Sequence, residues 1–262
     1  MVSGCRWWFE WPNSMTRRRF FAPPGAFDFQ QQRVVLTADE ARHLRDVLRL
    51  NQGDVVYVFD GHGKEFCCVV SQTKRDNAEL EILETSDAAS PESPLDLALA
   101  LALLKGDKFD LVVQKATELG VNRILPVLTR NADIHLHDTS DAQKRVVRWQ
   151  RIALEAAKQS GRAVVPEVRL PIAFSDLLPQ EADRCRLMFS ERGGMPLTEH
   201  SHAQAQSIIL LIGSEGGWTD EEIEQARDSE WEIITLGGRI LRAETAAIAA
   251  TALLQHRYGD VK

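Results

Sequence analysis

The chain has 262 residues, of which 44% are hydrophobic and 26% are charged, a composition typical of a globular protein with one large domain or two smaller ones. The formal net charge of −7 argues against tight unspecific binding to nucleic acid, although a local basic patch could still contact a phosphate backbone. No run of eighteen apolar residues is present, so the sequence predicts no transmembrane helix.

The amino-terminal part of the chain combines an aromatic segment with a basic run. Residues 1–14 contain three tryptophans but lack the long apolar core of a secretory signal, so we interpret them as an extension and Met15 as the start of the first domain. A basic run, Arg17, Arg18 and Arg19, follows beside two phenylalanines and suits contact with phosphates and bases. A solvent-exposed strand edge explains the same pattern equally well.

Residues 38–50 predict a short helix with one buried and one cationic face. Thr37 is the expected N-cap, and Glu40 follows three residues later, so we expect a capping box. The apolar face contains Leu44, Val47 and Leu48, and the cationic face contains Arg42, Arg45 and Arg49.

A compact first domain is predicted to end before a linker. Short strand patterns occur at residues 55–59, 66–70 and 80–83, and strands at this spacing around one small helix favour a β-barrel. Residues 87–94 are small, polar and proline-bearing, as expected of a linker. The first domain should therefore occupy residues 15–86.

The remaining residues, 95–262, alternate between strand and helix patterns. Strands are predicted at 95–104, 124–128, 186–189, 207–212 and 233–236, with helices at 109–119, 139–161 and 174–178. This rhythm predicts an α/β fold with a parallel sheet that is covered by helices on both faces.

Two glycine-rich loops follow the last two predicted strands. The first loop is Gly213 to Gly217, and Thr219 with Glu222 then predicts a capping box at the start of a helix. The second loop is Gly237 to Arg242. Loops at the carboxyl ends of parallel strands are typical of nucleotide sites, but neither loop matches a phosphate-binding motif, and Glu215 would repel phosphates. The pattern therefore favours an adenosine derivative that carries a positive charge.

The two loops also carry a family resemblance. IGSEGGW at 212–218 and LGGRILRAETAAIAA at 236–250 resemble the second and third signature motifs of the SPOUT superfamily of RNA methyltransferases. The form RILRxETA is similar to the ribosomal RNA small-subunit methyltransferase E family, as are HLRDVLRLNQGD at 43–54 and KGDKFDLVVQKATELGVNRILPVLT at 105–129. The resemblance implies methylation of N3 of a uridine in 16S ribosomal RNA, with S-adenosylmethionine as the cofactor.

The same resemblance implies the architecture and the partners. Residues 15–86 would form a PUA-like RNA-binding barrel, and residues 95–262 a SPOUT-like methyltransferase domain with a C-terminal trefoil knot. Neither periodicity nor spacing indicates the knot, which follows from the resemblance alone. It also implies a homodimer that acts on 16S ribosomal RNA, with the assembled small ribosomal subunit as the expected substrate and free RNA as the alternative.

Candidate site residues follow from the loops and the resemblance. The predicted cofactor-binding residues are Ile212, Gly213, Glu215, Gly216, Gly217, Leu236, Gly237, Ile240 and Leu241. Arg242 is the predicted catalytic residue, because a cation beside uridine O2 or O4 stabilises the anion formed when N3 loses its proton. An arginine that holds only the loop carbonyls or Glu244 is the alternative. The predicted RNA contacts are Arg17, Arg18, Arg19, Arg45, Arg49, Lys105 and Arg162.

Two other functions remain open at this point. One is a methyltransferase of the same superfamily that modifies a ribose 2′-hydroxyl, which analysis of the methylated product would distinguish. The other is an inactive RNA-binding assembly factor, which would fail to bind S-adenosylmethionine.

The cysteines and histidines show no metal-binding spacing. The four cysteines lack a CxxC pair, so we expect reduced thiols, as in a cytoplasmic protein. Two HxH pairs, His135 with His137 and His200 with His202, lack a clear partner motif. We therefore expect solvent-exposed histidines and no bound metal.

Overall fold

The computed structural model describes residues 17–132, 134, 138–200 and 205–262, which belong to two compact units. The first unit contains the described residues up to Phe59 together with Glu65–Ser86. The second contains Asp60–Lys64 and the described residues from Asp87 to Lys262. The predicted extension, residues 1–14, lies outside the described residues.

The described part of the first unit is built around one sheet. Its strands are β1 (Arg19–Phe21), β2 (Phe27–Asp28), β3 (Arg33–Leu36), β4 (Val55–Phe59), β5 (Glu65–Thr73) and β6 (Ala78–Ser86), and its helix is α1 (Ala38–Arg42). The strand order is β1-β4-β5-β6-β3-β2, and β1 pairs in parallel with β4 while the other pairs are antiparallel. Phe20, Leu44, Val58 and Leu80 are fully buried in its core. The unit is therefore rich in β-structure, as predicted.

The helix after Thr37 is shorter and less regular than predicted. A π-helical turn, His43–Val47, replaces the helix beyond α1. Thr37 makes no side-chain capping hydrogen bond, so the predicted capping box is wrong. The predicted apolar face is correct at Leu44, which is buried, but wrong at Val47, which is 67% exposed, and at Leu48, which is also exposed. A π-turn inserts an extra residue into the helical repeat, and this displaces the following side chains from the expected face.

The second unit contains a parallel sheet. Its elements are β7 (Asp96–Ala102), α2 (Lys108–Glu118), β8 (Arg123–Leu128), α3 (Thr139–Ser160), β9 (Glu167–Val168), β10 (Ile172–Ala173), α4 (Phe174–Leu177), β11 (Cys185–Phe189), β12 (Met195–Pro196), β13 (Ser207–Ile212), α5 (Asp220–Asp228), β14 (Glu232–Thr235) and α6 (Ala243–Tyr258). The order is β10-β8-β7-β13-β11-β14-β12, with β9 beside β8, and each described pair is parallel. The predicted parallel α/β sheet is confirmed. None of the described helices is long and apolar enough to cross a membrane.

The central strands of this sheet are buried on both faces. Leu97, Leu99 and Leu101 of β7 pack in one apolar cluster with residues of α2, α3 and α6, whereas Ala98 and Ala100 pack in another with residues of α4 and α5. Alternate residues of a strand point to opposite faces, so a continuous apolar run requires this double cover. The packed strands hold their carboxyl ends, and the loops that follow them, in fixed positions.

Candidate active site

A cavity of about 480 Å³ is formed by the loops after β11, β13 and β14, three neighbouring strands of the sheet. The nine predicted cofactor-binding residues and Arg242 all line it, and Lys108 at the start of α2 lines it as well. Because the strands are parallel, their carboxyl ends meet at one edge of the sheet, where ligands of α/β proteins commonly bind. The volume lies in the range of small-molecule sites.

The first glycine loop is fixed by close contacts with neighbouring residues. A Cβ atom on Gly213 would lie 2.9 Å from the Trp218 ring, and one on Gly216 would lie 2.7 Å from the Asn131 carbonyl oxygen. The Asn131 side-chain amide donates hydrogen bonds to the carbonyls of Gly216 (3.1 Å) and Gly217 (3.3 Å). Gly217 has a φ of +68°, which glycine adopts without strain. Glycine is therefore required here by local packing and backbone geometry.

The residues after this loop anchor it further. The Trp218 indole N–H donates to the carbonyl of Phe189 at 2.8 Å, which joins the loops after β13 and β11. The predicted capping box of α5 is confirmed: Thr219 Oγ1 accepts from the Glu222 N–H at 3.1 Å, and the Glu222 carboxylate accepts from the Thr219 N–H at 2.9 Å. Glu222 also accepts from the Arg130 N–H at 3.0 Å. The wall of the cavity is thus tied to β11, α5 and the segment after β8.

Glu215 contributes a negative charge at the cavity. Its carboxylate accepts hydrogen bonds from Lys108 Nζ at 2.8 Å and from the Lys105 backbone N–H at 3.3 Å. Burial opposes ionisation of this carboxyl, but the Lys108 hydrogen bond and the backbone hydrogen bonds outweigh it, so the pKa of Glu215 lies below its usual value. Glu215 is therefore an anion at neutral pH.

The second glycine loop is open. Gly237 has a φ of +114°, and a Cβ atom on Gly237 or Gly238 would have no heavy atom within 4 Å. Ile240 is 86% exposed, although it also lines the cavity. Arg242 is exposed at the N-cap of α6, where its carbonyl accepts from the Ala246 N–H at 2.8 Å. Ile240 and Arg242 of this loop are therefore exposed residues that line the cavity, and the two glycines have space around them.

The alternative role for Arg242 involved Glu244, two residues further along the chain. Glu244 Oε2 is buried and makes no hydrogen bond within the part of the chain that the structure describes. Arg242 therefore makes no hydrogen bond to this oxygen, and it lines the cavity. The catalytic role of Arg242 stays a prediction.

The basic run of the first unit has different environments at each position. Arg19 is buried, with Nη2 at 2.7 Å from Glu65 Oε2 and its guanidinium 4.6 Å from the centre of the Phe59 ring. The RNA contact predicted for Arg19 therefore does not fit its position, because the side chain pairs with a buried carboxylate. Arg17 lies partly exposed over the Tyr57 ring, and half of the Arg18 side chain is exposed.

The two arginines predicted from the helical segment lie near the surface. Arg45 forms an ion pair with Asp46 at 2.7 Å and donates to the Lys74 carbonyl at 3.0 Å. Arg49 is exposed and adopts a φ of +53°, a left-handed conformation that is uncommon outside glycine. Arg45 would have to break its ion pair with Asp46 to contact a phosphate. The RNA contact stays a prediction at both positions.

Arg162 is buried, contrary to its predicted role in RNA binding. Its guanidinium donates to the carbonyls of Thr117 (2.7 Å) and Val121 (2.9 Å) and pairs with Glu92 at 2.7 Å. These bonds tie α2 to the segment before β7, and the side chain is only 4% exposed. Lys105, by contrast, is exposed beside the first glycine loop.

Several site residues were missed by the sequence analysis. Lys108 and Trp218 lie within the family motifs, so the motifs themselves could have indicated them. Asn131 belongs to none of the motifs, yet it holds the first glycine loop. The prediction of a solvent-exposed His200 is wrong, since this residue is 1% exposed. His135, His137 and His202 lie outside the described residues.

Comparison with known proteins supports the family resemblance that the sequence motifs indicate. Residues 91–255 match the RNA methyltransferase domain family, and residues 36–83 match the RNA methyltransferase PUA domain family. The ribosomal RNA small subunit methyltransferase E of Bacillus subtilis is 31% identical over 230 residues, which are 85% of this chain and 89% of that protein.

Solved structures give the same result. One similar structure is the ribosomal RNA small subunit methyltransferase E of Neisseria gonorrhoeae bound to S-adenosylmethionine. It is 35% identical to this chain with a TM-score of 0.84, and the match covers 94% of this chain and 100% of the Neisseria gonorrhoeae chain. A Legionella pneumophila methyltransferase in complex with the same cofactor is 31% identical with a TM-score of 0.85 and the same coverage. The predicted resemblance is confirmed. The chain therefore belongs to the ribosomal RNA small subunit methyltransferase E family.

Proposed function

We propose that this protein transfers a methyl group from S-adenosylmethionine to N3 of one uridine in 16S ribosomal RNA. The observation that carries the proposal is the cavity lined by two glycine loops at the carboxyl edge of the sheet, in a chain of this family. The solved relatives from Neisseria gonorrhoeae and Legionella pneumophila contain S-adenosylmethionine, which supports the same cofactor here.

The residues of the cavity fit such a cofactor. Ile212, Leu236 and Leu241 would offer apolar side chains to an adenine, and the glycines would allow its polar edge to approach backbone groups. The anionic Glu215 is compatible with a positively charged ligand, and its carboxylate is paired with Lys108 at 2.8 Å. When bound, the cofactor supplies an activated methyl group on a positively charged sulfur.

Arg242 has the main chemical role in this proposal. Uridine N3 carries a weakly acidic proton, which passes to water, and the negative charge then spreads over O2 and O4. The Arg242 guanidinium offers several N–H donors in a fixed plane and remains protonated, so it stabilises this charge and orients the base. The residues of the two glycine loops would hold the cofactor, and Arg242 would orient the base beside it.

The first domain is proposed to bind the RNA. We assign residues 15–86 to a PUA-like barrel, 87–94 to a linker and 95–262 to the methyltransferase domain. Arg17, Arg18, Arg45 and Arg49 are the proposed phosphate contacts of the barrel, with Lys105 beside the cavity. The substrate is the assembled small ribosomal subunit in the cytoplasm, where an acidic protein gains specificity from a local basic surface.

We also propose a C-terminal trefoil knot and a homodimer. In support of the knot, β13 lies between β7 and β11 in the sheet, although both of these strands come before β13 in the chain. A later strand is therefore inserted between two earlier ones. In support of the dimer, α6 has a small residue at Ala249 and exposes Leu253, which permits close packing of a second helix.

The proposal is tested first by cofactor binding and then by the product. Calorimetry should show binding of S-adenosylmethionine and no comparable binding of ATP. Small subunits from cells that lack the protein should gain one methyl group on a uracil base when the protein and cofactor are added, as measured by nucleoside mass spectrometry. A methyl group on the ribose would support the 2′-hydroxyl alternative, and failure to bind the cofactor would support an inactive assembly factor.

A further inference from the structure

Three potential metal ligands lie together at the edge of the sheet opposite the cavity. Cys185 begins β11 and Glu232 begins β14, so the parallel pairing of these strands brings both residues to the amino edge. His200 follows the short 3-10 helix Leu197–Glu199. Cys185 Sγ lies 3.7 Å from His200 Nε2, which lies 3.4 Å from Glu232 Oε2, and the three atoms are all within 4.8 Å of one another.

Two of these distances match the spacing of ligands around a tetrahedral ion. With Zn–S of about 2.3 Å and Zn–N and Zn–O of about 2.0–2.2 Å, neighbouring ligand atoms lie about 3.3–3.6 Å apart. The Cys185–His200 and His200–Glu232 separations of 3.7 and 3.4 Å therefore need little adjustment. The Cys185–Glu232 separation, which is within 4.8 Å, would shorten by up to about 1.2 Å on binding of the ion. A thiolate and an imidazole favour zinc or a similar transition metal over magnesium or calcium, which prefer oxygen ligands.

The surroundings orient the histidine for this role. His200 is buried, and its Nδ1 lies 3.2 Å from the hydroxyl oxygen of Tyr258 at the end of α6. If Nδ1 donates its proton to that hydroxyl, the lone pair of Nε2 faces Cys185 and Glu232, an arrangement common for metal-binding histidines. Arg257 donates to the His200 carbonyl, which holds the turn that carries the ring.

We propose that Cys185, His200 and Glu232 bind a divalent transition metal ion of the zinc class, with water as the fourth ligand. The Glu232 side chain is 35% exposed and Cys185 is partly exposed, so solvent can reach the open position. Burial, followed by the charge of Glu232, raises the pKa of the Cys185 thiol to about 11, so a bound cation must displace the thiol proton. The ion would fasten β11, β14 and the turn at His200 to one another.

Cobalt(II) is the probe for this site, because it reports thiolate ligation and tetrahedral geometry by absorption. The full-length protein is used with Cys5→Ser in every sample, so that the thiol outside the described residues does not contribute. Addition of Co²⁺ to metal-free protein should produce a thiolate-to-cobalt charge-transfer band that Zn²⁺ removes by displacement. Cys185→Ser should abolish the band, whereas the matched control Cys67→Ser, at a partly exposed thiol of the first unit, should retain it.

Two further measurements keep the test independent of that one variant. Tyr258→Phe should weaken metal affinity by about tenfold, because it removes the oriented partner of Nδ1. Zn²⁺ should raise the Tm of the parent protein but not that of Glu232→Gln, whose substitution at a partly exposed position should be tolerated by the fold. Absence of a charge-transfer band, or an equal band in Cys185→Ser, would overturn the proposal and leave the three residues as a hydrogen-bonded cluster.

Discussion

The two glycine loops of the cavity have similar composition but are held in different ways. In the first loop, Gly213 and Gly216 lie against Trp218 and Asn131 so closely that a Cβ atom would overlap them. In the second loop, Gly237 and Gly238 have open space where a Cβ atom would lie. The first loop therefore needs glycine for packing within the protein, whereas the second has room for a ligand or for movement.

This difference suggests a division of work between the loops. A loop fixed by a capping box, an asparagine and a tryptophan is a preformed wall, and binding a cofactor against it costs little ordering entropy. The second loop carries Ile240 and Arg242, which are exposed and can adapt to an RNA substrate. We therefore expect changes at the packed glycines of the first loop to affect cofactor binding and stability, and a change at Arg242 of the second loop to affect methyl transfer.

The largest expected effect is that of Arg242→Ala. Loss of a donor that stabilises developing negative charge should reduce single-turnover methyl transfer by about 100- to 1000-fold. Calorimetry should show that the Kd for S-adenosylmethionine changes by less than about tenfold, or ~1.4 kcal/mol. The matched control is Arg239→Ala, which removes the same charge from the same cavity three residues earlier. Equal losses of binding and rate in Arg242→Ala would place Arg242 in the cofactor pocket rather than in the reaction.

The next effect tests the packed loop against the open one. Gly216→Ala places a methyl group against the Asn131 backbone, and overpacking of this kind costs about 1–3 kcal/mol. We expect a lower Tm and a Kd for S-adenosylmethionine at least about tenfold weaker. Gly238→Ala is the control because it meets open space, and its Kd should stay within about twofold. Similar behaviour of the two variants would contradict the difference between the loops.

The parallel sheet and the cofactor loops could be predicted because their signals are local in sequence. The capping box at Thr219 and Glu222 spans four residues, and the strand Ser207–Ile212 is apolar from its second residue to its end. In the structure, every residue that these motifs predict to bind the cofactor lines one cavity. Local patterns of this kind depend little on the rest of the fold.

The features that could not be predicted depend on distant partners. Arg19 pairs with Glu65, 46 residues away, and Arg162 pairs with Glu92, 70 residues away, so a basic residue that looks available is buried. The buried position of His200 beside Cys185 and Glu232 arises only when β11 and β14 become neighbours. The π-turn at His43–Val47 also departs from the regular helical repeat on which the predicted apolar face was based.

A smaller effect is expected from the link between the first loop and β11. Trp218→Phe removes the N–H that bonds the Phe189 carbonyl, which should lower the free energy of unfolding by about 1–2 kcal/mol in a denaturant titration. It should also weaken S-adenosylmethionine binding, because the first loop loses its hydrogen bond to the end of β11. Trp231→Phe is the matched control, since the buried Trp231 donates to the Leu178 carbonyl outside the cavity. It should lose similar stability but keep its cofactor affinity, and a loss of affinity there would show that general destabilisation is responsible.

The smallest effect concerns the charge of the first loop. Glu215→Gln leaves Lys108 without its carboxylate partner beside a cationic ligand, and for such a partly exposed pair we expect S-adenosylmethionine binding to weaken only about two- to fivefold. Addition of Lys108→Met to the Glu215→Gln variant should restore part of the affinity for S-adenosylmethionine, because it removes the positive charge that repels the ligand. If the affinity does not recover, Glu215 acts directly on the ligand.

The pH dependence follows from the direction of the pKa shift. The folded-state pKa of Glu215 is lowered, because hydrogen bonds from Lys108 and the backbone outweigh the opposing effect of burial. The stabilising contribution of the ionised Glu215 carboxylate is therefore fully present above the usual pKa of 4.5. It is lost as the pH falls through the lowered pKa of the folded state. Calorimetry should consequently find the same ratio of wild-type to Glu215→Gln affinity at about pH 6 and about pH 8. A ratio that changed across that interval would mean that Glu215 titrates near neutrality, which the Lys108 hydrogen bond at 2.8 Å should prevent.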